Sequence, residues 1–460
     1  MSDKRSWALA LGPVLAVVVG LALRGADLSS QAALCGGITT LCAVWWVAEP
    51  IPIPATSLIP FALFPLLGVL DHEGVATAYG HSLILLLLGG FMLSMGMEKS
   101  GAHRRLALGM VRMVGGVGGK RLILGFMIAS AVLSTWISNT ATTLMLLPVA
   151  LAVIEQADDD QLAVPLLLGM AYAASVGGIG TPVGTPPNVI LMGVYQEHTG
   201  QEISFASWMK IGIPVVLIMV PIIWLWLTRS LKGKGVKLEL PHPGPWRPAE
   251  RRVLTVFGLT ALAWVTRSEP YGGWSTLIGA PGVGDSTVAL TAVVLLFLIP
   301  DGEEGRLLDW KTAARIPWGL LILFGGGIAI ARAFGASGLS AALGGALSSL
   351  ASWPVLLMLL TICLCVTFLT EITSNTATTS LLMPILAAAA TAAAVDPRLL
   401  MVPAAISASC AFMLPVATAP NAIVFGTEKI STSRMAREGI ALNILGAIAI
   451  TLVCYFMLPR

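Results

Sequence analysis

Two copies of one polar phrase carry the chemistry open to this chain. Ser138-Asn139-Thr140-Ala141-Thr142-Thr143 runs on to Pro148, and Ser374-Asn375-Thr376-Ala377-Thr378-Thr379 runs on to Pro384. Over those eleven positions the copies agree at eight. Each is followed by a glycine- and proline-rich break: Gly177-Gly178-Ile179-Gly180-Thr181-Pro182-Val183-Gly184-Thr185-Pro186-Pro187-Asn188 after the first, and Pro415-Val416-Ala417-Thr418-Ala419-Pro420-Asn421 after the second. None of the four motifs contains Lys or Arg. A fixed cation would be costly to bury at membrane depth and would hold an anion too firmly for release.

Neutral groups can still bind charge. Helix N-termini offer free N–H groups and partial positive charge, which suit carboxylates. Asn139, Thr140, Asn375 and Thr376 add side-chain donors, and two symmetry-related donor clusters facing one cavity would suit a ligand with two carboxylates. Unwound carbonyls and Ser, Thr and Asn oxygens suit a hard cation such as Na⁺. The cation candidates are Ser134, Ser138, Asn139 and the Gly184 carbonyl in the first half, with Thr370, Thr373, Asn375 and the Ala417 carbonyl in the second. Ser134 and Ser138 share a helix face, as do Thr370 and Ser374. Serine and threonine also pack helices or bond back to their own carbonyls; repetition beside Asn-Thr and a Gly/Pro break favours binding.

The elements that must position these groups are membrane helices. Of 460 residues, 56% are hydrophobic and 11% charged, in apolar runs long enough to cross a bilayer. The fold class is therefore an all-α polytopic membrane protein, and a net charge of +3 spread over loops gives no sign of a nucleic-acid partner. Six cysteines inside apolar segments read as core filler, and no His/Asp/Glu cluster or Ser–base pair suggests an enzyme.

The spacing predicts spans near 7–24, 31–48, 54–70 and 81–98, then an amphipathic surface helix over 99–120. The first run reads as an uncleaved span, because Leu23-Arg24-Gly25 is a poor cleavage site. Residues 121–155 form a re-entrant hairpin with short arms, and Asp158-Asp159-Asp160 follows it. A span from about 162 is broken at the glycine-proline run. Spans near 211–228, 250–267, 286–300 and 317–334 lead to a second hairpin (354–394), a second broken span (398–427) and a last span (438–458). That makes about 11 spans and two hairpins.

Gly89-Gly90 with Ser100-Gly101 recurs as Gly325-Gly326 with Ser337-Gly338, so the duplication extends beyond the motifs. Placing the N-terminus in the cytoplasm puts 21 of the 27 Lys and Arg inside. Five crossings between the hairpins then make the repeats inverted. Glu371 reads either as a charge beside the cation or proton path, or as a structural acid bracing the hairpin. Glu49, His81 and Glu98 fall near span ends.

On both Ser-Asn-Thr motifs, Gly184-Thr185-Pro186-Pro187-Asn188, the tract from Pro415 to Gly426 and the Trp45 to Pro54 tract, nearly the whole chain resembles the divalent anion:sodium symporters. The resemblance implies a homodimer in the plasma membrane, with an elevator mechanism and Na⁺-coupled uptake of C4-dicarboxylates. Residues 1–120 and 229–353 would be scaffold, and 121–228 and 354–460 the two halves of the transport domain. It implies substrate contacts at Asn139, Thr140, Thr185, Asn375, Thr376 and Thr418, and two sodium sites at the oxygens named above. Two Na⁺ only neutralise a dianion, so voltage-driven uptake needs a third ion that the sequence does not locate. Ala419 stands where the family usually has the first of two prolines, and Thr373 replaces a smaller residue, adding a ligand or filling space. Related exchangers replace sodium sites with basic side chains; their absence here favours symport over dicarboxylate exchange, and the inverted repeat argues against a channel.

Overall fold

The computed structural model describes residues 2–115, 118–157, 160–231, 244–269, 272–347 and 353–459. Asp158 and Asp159 lie outside them. Among the described residues every regular element is helical. Eight helices are long and apolar enough to span a membrane, and shorter apolar helices complete the bundle.

Both predicted hairpins are present. Hairpin 1 comprises Gly119–Ser134 and Asn139–Ala157; hairpin 2 comprises Val355–Thr370 and Asn375–Ala392. Each leading arm has 16 residues, about 24 Å of helix against a hydrocarbon core of about 30 Å; the second arms, expected to be as short, have 19 and 18, and Asn139–Ala157 is itself among the span-length helices. Both broken helices are present too. Asp160–Gly177 unwinds through one 3₁₀ turn and resumes as Pro186–Thr199, and Pro397–Ala408 resumes as Ala419–Phe425.

The predicted span over 54–70 is not one helix. It folds as Ile53–Thr56 and Ile59–Leu66, followed by His72–Tyr79. Pro60 and Pro65 each remove a helix donor. At the break the buried Ser57 bonds back to the Ile53 carbonyl and accepts from the Trp46 indole at 2.9 Å. The fold also adds a helix the sequence reading lacked, Leu339–Leu347, which follows Ser337-Gly338 as Ala102–Gly115 follows Ser100-Gly101.

The first helix docks on Ser30–Ala48 through small residues. A Cβ on Gly12 would stand 2.2 Å from the Trp45 indole nitrogen, and one on Gly37 would stand 2.9 Å from the Ala16 carbonyl. The Trp45 indole donates to the Ala8 carbonyl at 2.9 Å.

What brings the motifs together is an exchange of partners between halves. Pro186–Thr199 packs on the second arm of hairpin 2, and Ala419–Phe425 packs on the second arm of hairpin 1. Asp160–Gly177 runs through the centre as the most enclosed span. Two helices outside these units press on the unwound segments through glycine. A Cβ on Gly212 would lie 2.4 Å from the Ile179 carbonyl, and one on Gly439 would lie 2.1 Å from the Phe412 carbonyl.

Gly439→Ala should therefore lower the thermal midpoint of the detergent-purified protein by several degrees, about 1–3 kcal/mol of overpacking. Gly109→Ala, where an added Cβ meets nothing within 4 Å, should leave it unchanged or raised.

Candidate substrate and cation site

An unwound helix leaves backbone groups that water cannot reach, so side chains must bond them. Both halves solve this alike. Asn188, fully buried, donates its amide to the carbonyls of Gly178 (3.0 Å) and Thr181 (2.7 Å). Asn421, also fully buried, donates to the carbonyls of Ala411 and Leu414, each at 3.0 Å. The Oδ1 of each Asn has no partner among the described residues, leaving an acceptor free.

The hairpin tips are matched as closely. Ser134 Oγ donates to Asn139 Oδ1 at 2.5 Å, and Thr370 Oγ1 donates to Asn375 Oδ1 at 2.6 Å. Thr143 and Thr379 then bond the carbonyls of Asn139 and Asn375 at 2.8 and 2.7 Å. The first of these bonds sets the Asn139 oxygen beside the break, within reach of Gly178. In the first half a Cβ on Gly178 would stand 2.8 Å from Asn139 Oδ1 and 3.0 Å from the Gly184 carbonyl. A Cβ on Gly184 would stand 2.4 Å from the Gly178 carbonyl and 2.8 Å from that of Thr135. Oxygens thus crowd into a space that only glycine leaves open. Such a set, free of cationic groups, fits a hard cation such as Na⁺. In the second half Ala411 and Ala417 occupy the corresponding positions, both buried, so the two cradles differ by two methyl groups.

One cavity of about 1110 Å³ receives both tips. Ser138, Asn139 and Thr140 line it from one side, Ser374, Asn375 and Thr376 from the other, with Gly184, Thr185, Ala417 and Thr418 between. Of the predicted residues, Ser134, Thr370 and Thr373 are the ones off the cavity wall. Ser134 and Thr370 are fully buried behind their Asn. The Thr373 hydroxyl bonds the Leu369 carbonyl at 2.8 Å and Thr378 at 2.6 Å.

The donors are not distributed as the sequence suggested. Pro186 and Pro187 remove two N–H groups from the first break, and the next, of Asn188, bonds the Thr185 carbonyl at 3.3 Å. That helix end therefore offers mainly the Thr185 hydroxyl. Free N–H groups come instead from the hairpins, where the intrahelical ladder begins at Thr142 on Ser138 and Thr378 on Ser374. Ala419 in place of a proline restores one N–H to the second break.

Glu371 resolves as the structural acid. Oε1 accepts from the N–H groups of Phe412 (2.7 Å) and Met413 (2.9 Å) and from the Asn443 amide (2.7 Å); Oε2 accepts from Leu414 N–H at 3.0 Å. Four donors face it, and it holds the second break open. In the first half Thr135 bonds the Gly177 carbonyl at 3.0 Å, and Thr181 bonds the Thr135 carbonyl at 2.6 Å. At the cavity mouth stand Glu98, His103, Arg104 and Arg315, residues that sequence reasoning left without a role. The available signal was the clustering of His103 and Arg104 in the predicted surface helix, with Glu98 at the span end before it.

A family description, the sodium:sulfate symporter transmembrane region, matches residues 3–458. The chain belongs to that family, the divalent anion:sodium symporters. Among similar proteins, sodium-dependent dicarboxylate transporters SdcS of Staphylococcus saprophyticus and Staphylococcus aureus are each 42% identical to this chain, across 98% of its length and 91% of theirs. Its fold is shared with solved transporters. The YdaH transporter of Alcanivorax borkumensis superposes with a TM-score of 0.60 at 14% identity, over 94% of this chain and 99% of that one. Neisseria gonorrhoeae MtrF gives 0.58 at 14% identity, over 86% and 84%. At that identity the likeness concerns architecture alone.

Glu371→Ala should orphan three backbone N–H groups and an amide, at about 1–3 kcal/mol each. The expected result is loss of the monodisperse folded peak in detergent, with Glu371→Gln intermediate. Wild-type stability in Glu371→Ala would remove the bracing role.

Proposed function

We propose that this protein is a secondary active transporter that couples Na⁺ to the uptake of C4-dicarboxylates such as succinate, malate and fumarate. The observation that carries the reading is the convergence of two cation-free Asn-Thr tips on one cavity. Their backbone N–H groups and the side chains of Asn139, Thr140, Asn375 and Thr376, with the hydroxyls of Thr185 and Thr418, suit a carboxylate at each end of a short chain. Sodium at the oxygen clusters of Asn139 and Gly184, with Ser134 and Ser138, and of Asn375 and Ala417, with Thr370, offsets the substrate's charge. The similar transporters named for sodium and dicarboxylate support this choice over sulfate. Thr373, whose hydroxyl is engaged on its own arm, acts as a brace.

Transport follows an elevator path in a homodimer of the plasma membrane. Residues 121–228 and 354–460 form the moving body, and 1–120 and 229–353 the scaffold. With the N-terminus cytoplasmic, the cavity mouth at Glu98, Arg104 and Arg315 opens to the cytoplasm, because Arg104 and Arg315 lie in segments that the Lys and Arg count places inside. Each net charge carried inward gains about 2.3 kcal/mol per 100 mV. Two Na⁺ with a dianion carry none, so a voltage-driven cycle takes a third ion. The exchanger alternative lacks the basic side chain that would stand in for sodium.

In proteoliposomes, a sodium gradient should drive succinate uptake without internal dicarboxylate. Uptake equal in sodium-free buffer would refute symport, and uptake only with internal dicarboxylate would indicate exchange. Asn139→Ala and Asn375→Ala should each abolish uptake in folded protein, while Thr185→Ala or Thr418→Ala should raise KM severalfold; unchanged kinetics would remove those residues from the site.

A further inference from the structure

The cavity mouth has an opposite number. His81 caps the start of Ser82–Ser100 and Glu98, at the mouth, lies in its last turn, about 25 Å further along the helix. Leu320, which lines the cavity, and Arg332 likewise sit toward opposite ends of Trp318–Ser337. At the end remote from the mouth, Arg332 faces Glu197 in a two-pronged pair: Nε to Oε2 at 2.9 Å and Nη2 to Oε1 at 2.6 Å. The Arg332 side chain is 26% exposed and that of Glu197 15%. His81 Nε2 lies 3.7 Å from Glu197 Oε1.

The two partners sit on different bodies. Arg332 is fixed to helices of the 1–120 and 229–353 segments, since its Nη1 also bonds the Gly74 carbonyl and Thr77 Oγ1, both at 2.5 Å. Glu197 belongs to Pro186–Thr199, which packs on hairpin 2 and, across the proposed boundary between the bodies, on Trp318–Ser337, the helix of Arg332. Sliding one body past the other must part the pair. A fork-to-fork Arg–carboxylate contact in a half-buried setting is among the stronger polar contacts available to break.

The pair is also one-sided. By the repeat offsets read from the motifs, Gly96 corresponds to Arg332 and Ile430 to Glu197. An inverted repeat alone makes its two end states near mirror images of equal energy. A contact made in only one of them biases the equilibrium, because only differential interactions shift populations.

We propose that Glu197 with Arg332 and His81 is a one-sided latch, which holds the carrier in the state whose cavity opens at Glu98, Arg104 and Arg315. The latch sets how often the empty or loaded carrier reorients. It rests on the elevator reading above and makes Glu197 and Arg332 positioning residues of the cycle, without contact to substrate.

The test uses Leu144→Cys, a cavity-lining and exposed position, in a Cys365→Ala background that removes the exposed native thiol. Alkylation by a membrane-impermeant maleimide is timed in oriented membrane vesicles, from the face to which the cavity opens. With Glu197 and Arg332 intact, sodium plus succinate must change the rate; a rate indifferent to both refutes alternating access itself, and the latch with it. Given that response, Glu197→Gln is expected to slow substrate-free alkylation by about tenfold, and Arg332→Gln to do likewise. The double variant should be no slower than either single one, as for two halves of one contact. Sodium-dependent succinate binding should persist in all three, which separates the effect from misfolding. Unchanged alkylation in Glu197→Gln and Arg332→Gln, or additive effects, would overturn the latch and leave the transport reading standing.

Discussion

A peptide group at the middle of a bilayer has no water to bond, so a helix that stops there must find partners in its own protein. Everything about this chain follows from how that constraint is met. Asn188 and Asn421 each gather two carbonyls of an unwound segment, and Glu371 gathers three N–H groups of the second one. With those groups bonded, the first N–H groups of the hairpins' second arms stay outside the helical ladder, at tips that line the cavity.

The arrangement is neutral by construction, and that neutrality matters for function. A site with fixed cations would lose its selectivity for the coupled state, because it could hold an anion with or without sodium. In the proposed site the two tips would offer an anion N–H groups, amides and hydroxyls and a cation only oxygen, while the cavity's Arg104 and Arg315 stand apart from the tips on other elements. Each charge is then poorly held without the other, which is the physical root of coupling in the proposed cycle. The exchange of broken-helix ends between halves, Pro186–Thr199 onto hairpin 2 and Ala419–Phe425 onto hairpin 1, makes the two tips one site.

Much of this was legible in the sequence. The repeated Ser-Asn-Thr phrase marked the hairpins, and glycine and proline runs marked the breaks, because no intact membrane helix tolerates such runs. Repetition at nearly constant offset, a property of spacing alone, linked the two halves. What escaped was decided by contacts between remote residues. The span over 54–70 looked continuous because its residues are apolar; its break at Ser57 depends on the Trp46 indole. Glu371 could not be assigned until the Phe412–Leu414 backbone was seen to surround it. Pro186 and Pro187 were read as breakers, and their second effect, the loss of two donors at that helix end, emerged only with the geometry. Of the mouth residues, Arg104 had read as part of the amphipathic surface helix and Arg315 as one of the basic residues of an inside loop.

The differences between halves are as informative as the likeness. Two alanines replace the glycines of the first cation cradle, and a carboxylate replaces Thr135 as the brace. The central claim is that both tips jointly hold the substrate with sodium beside each. The most direct measurement is a density map of the protein in lipid nanodiscs with sodium and succinate, at a resolution that shows bound ions. Density for the dicarboxylate bridging Asn139-Thr140 and Asn375-Thr376, with ions at the Asn139–Gly184 and Asn375–Ala417 oxygens, is the predicted result. Dicarboxylate density at Arg104 and Arg315 with the two tips empty would contradict the account.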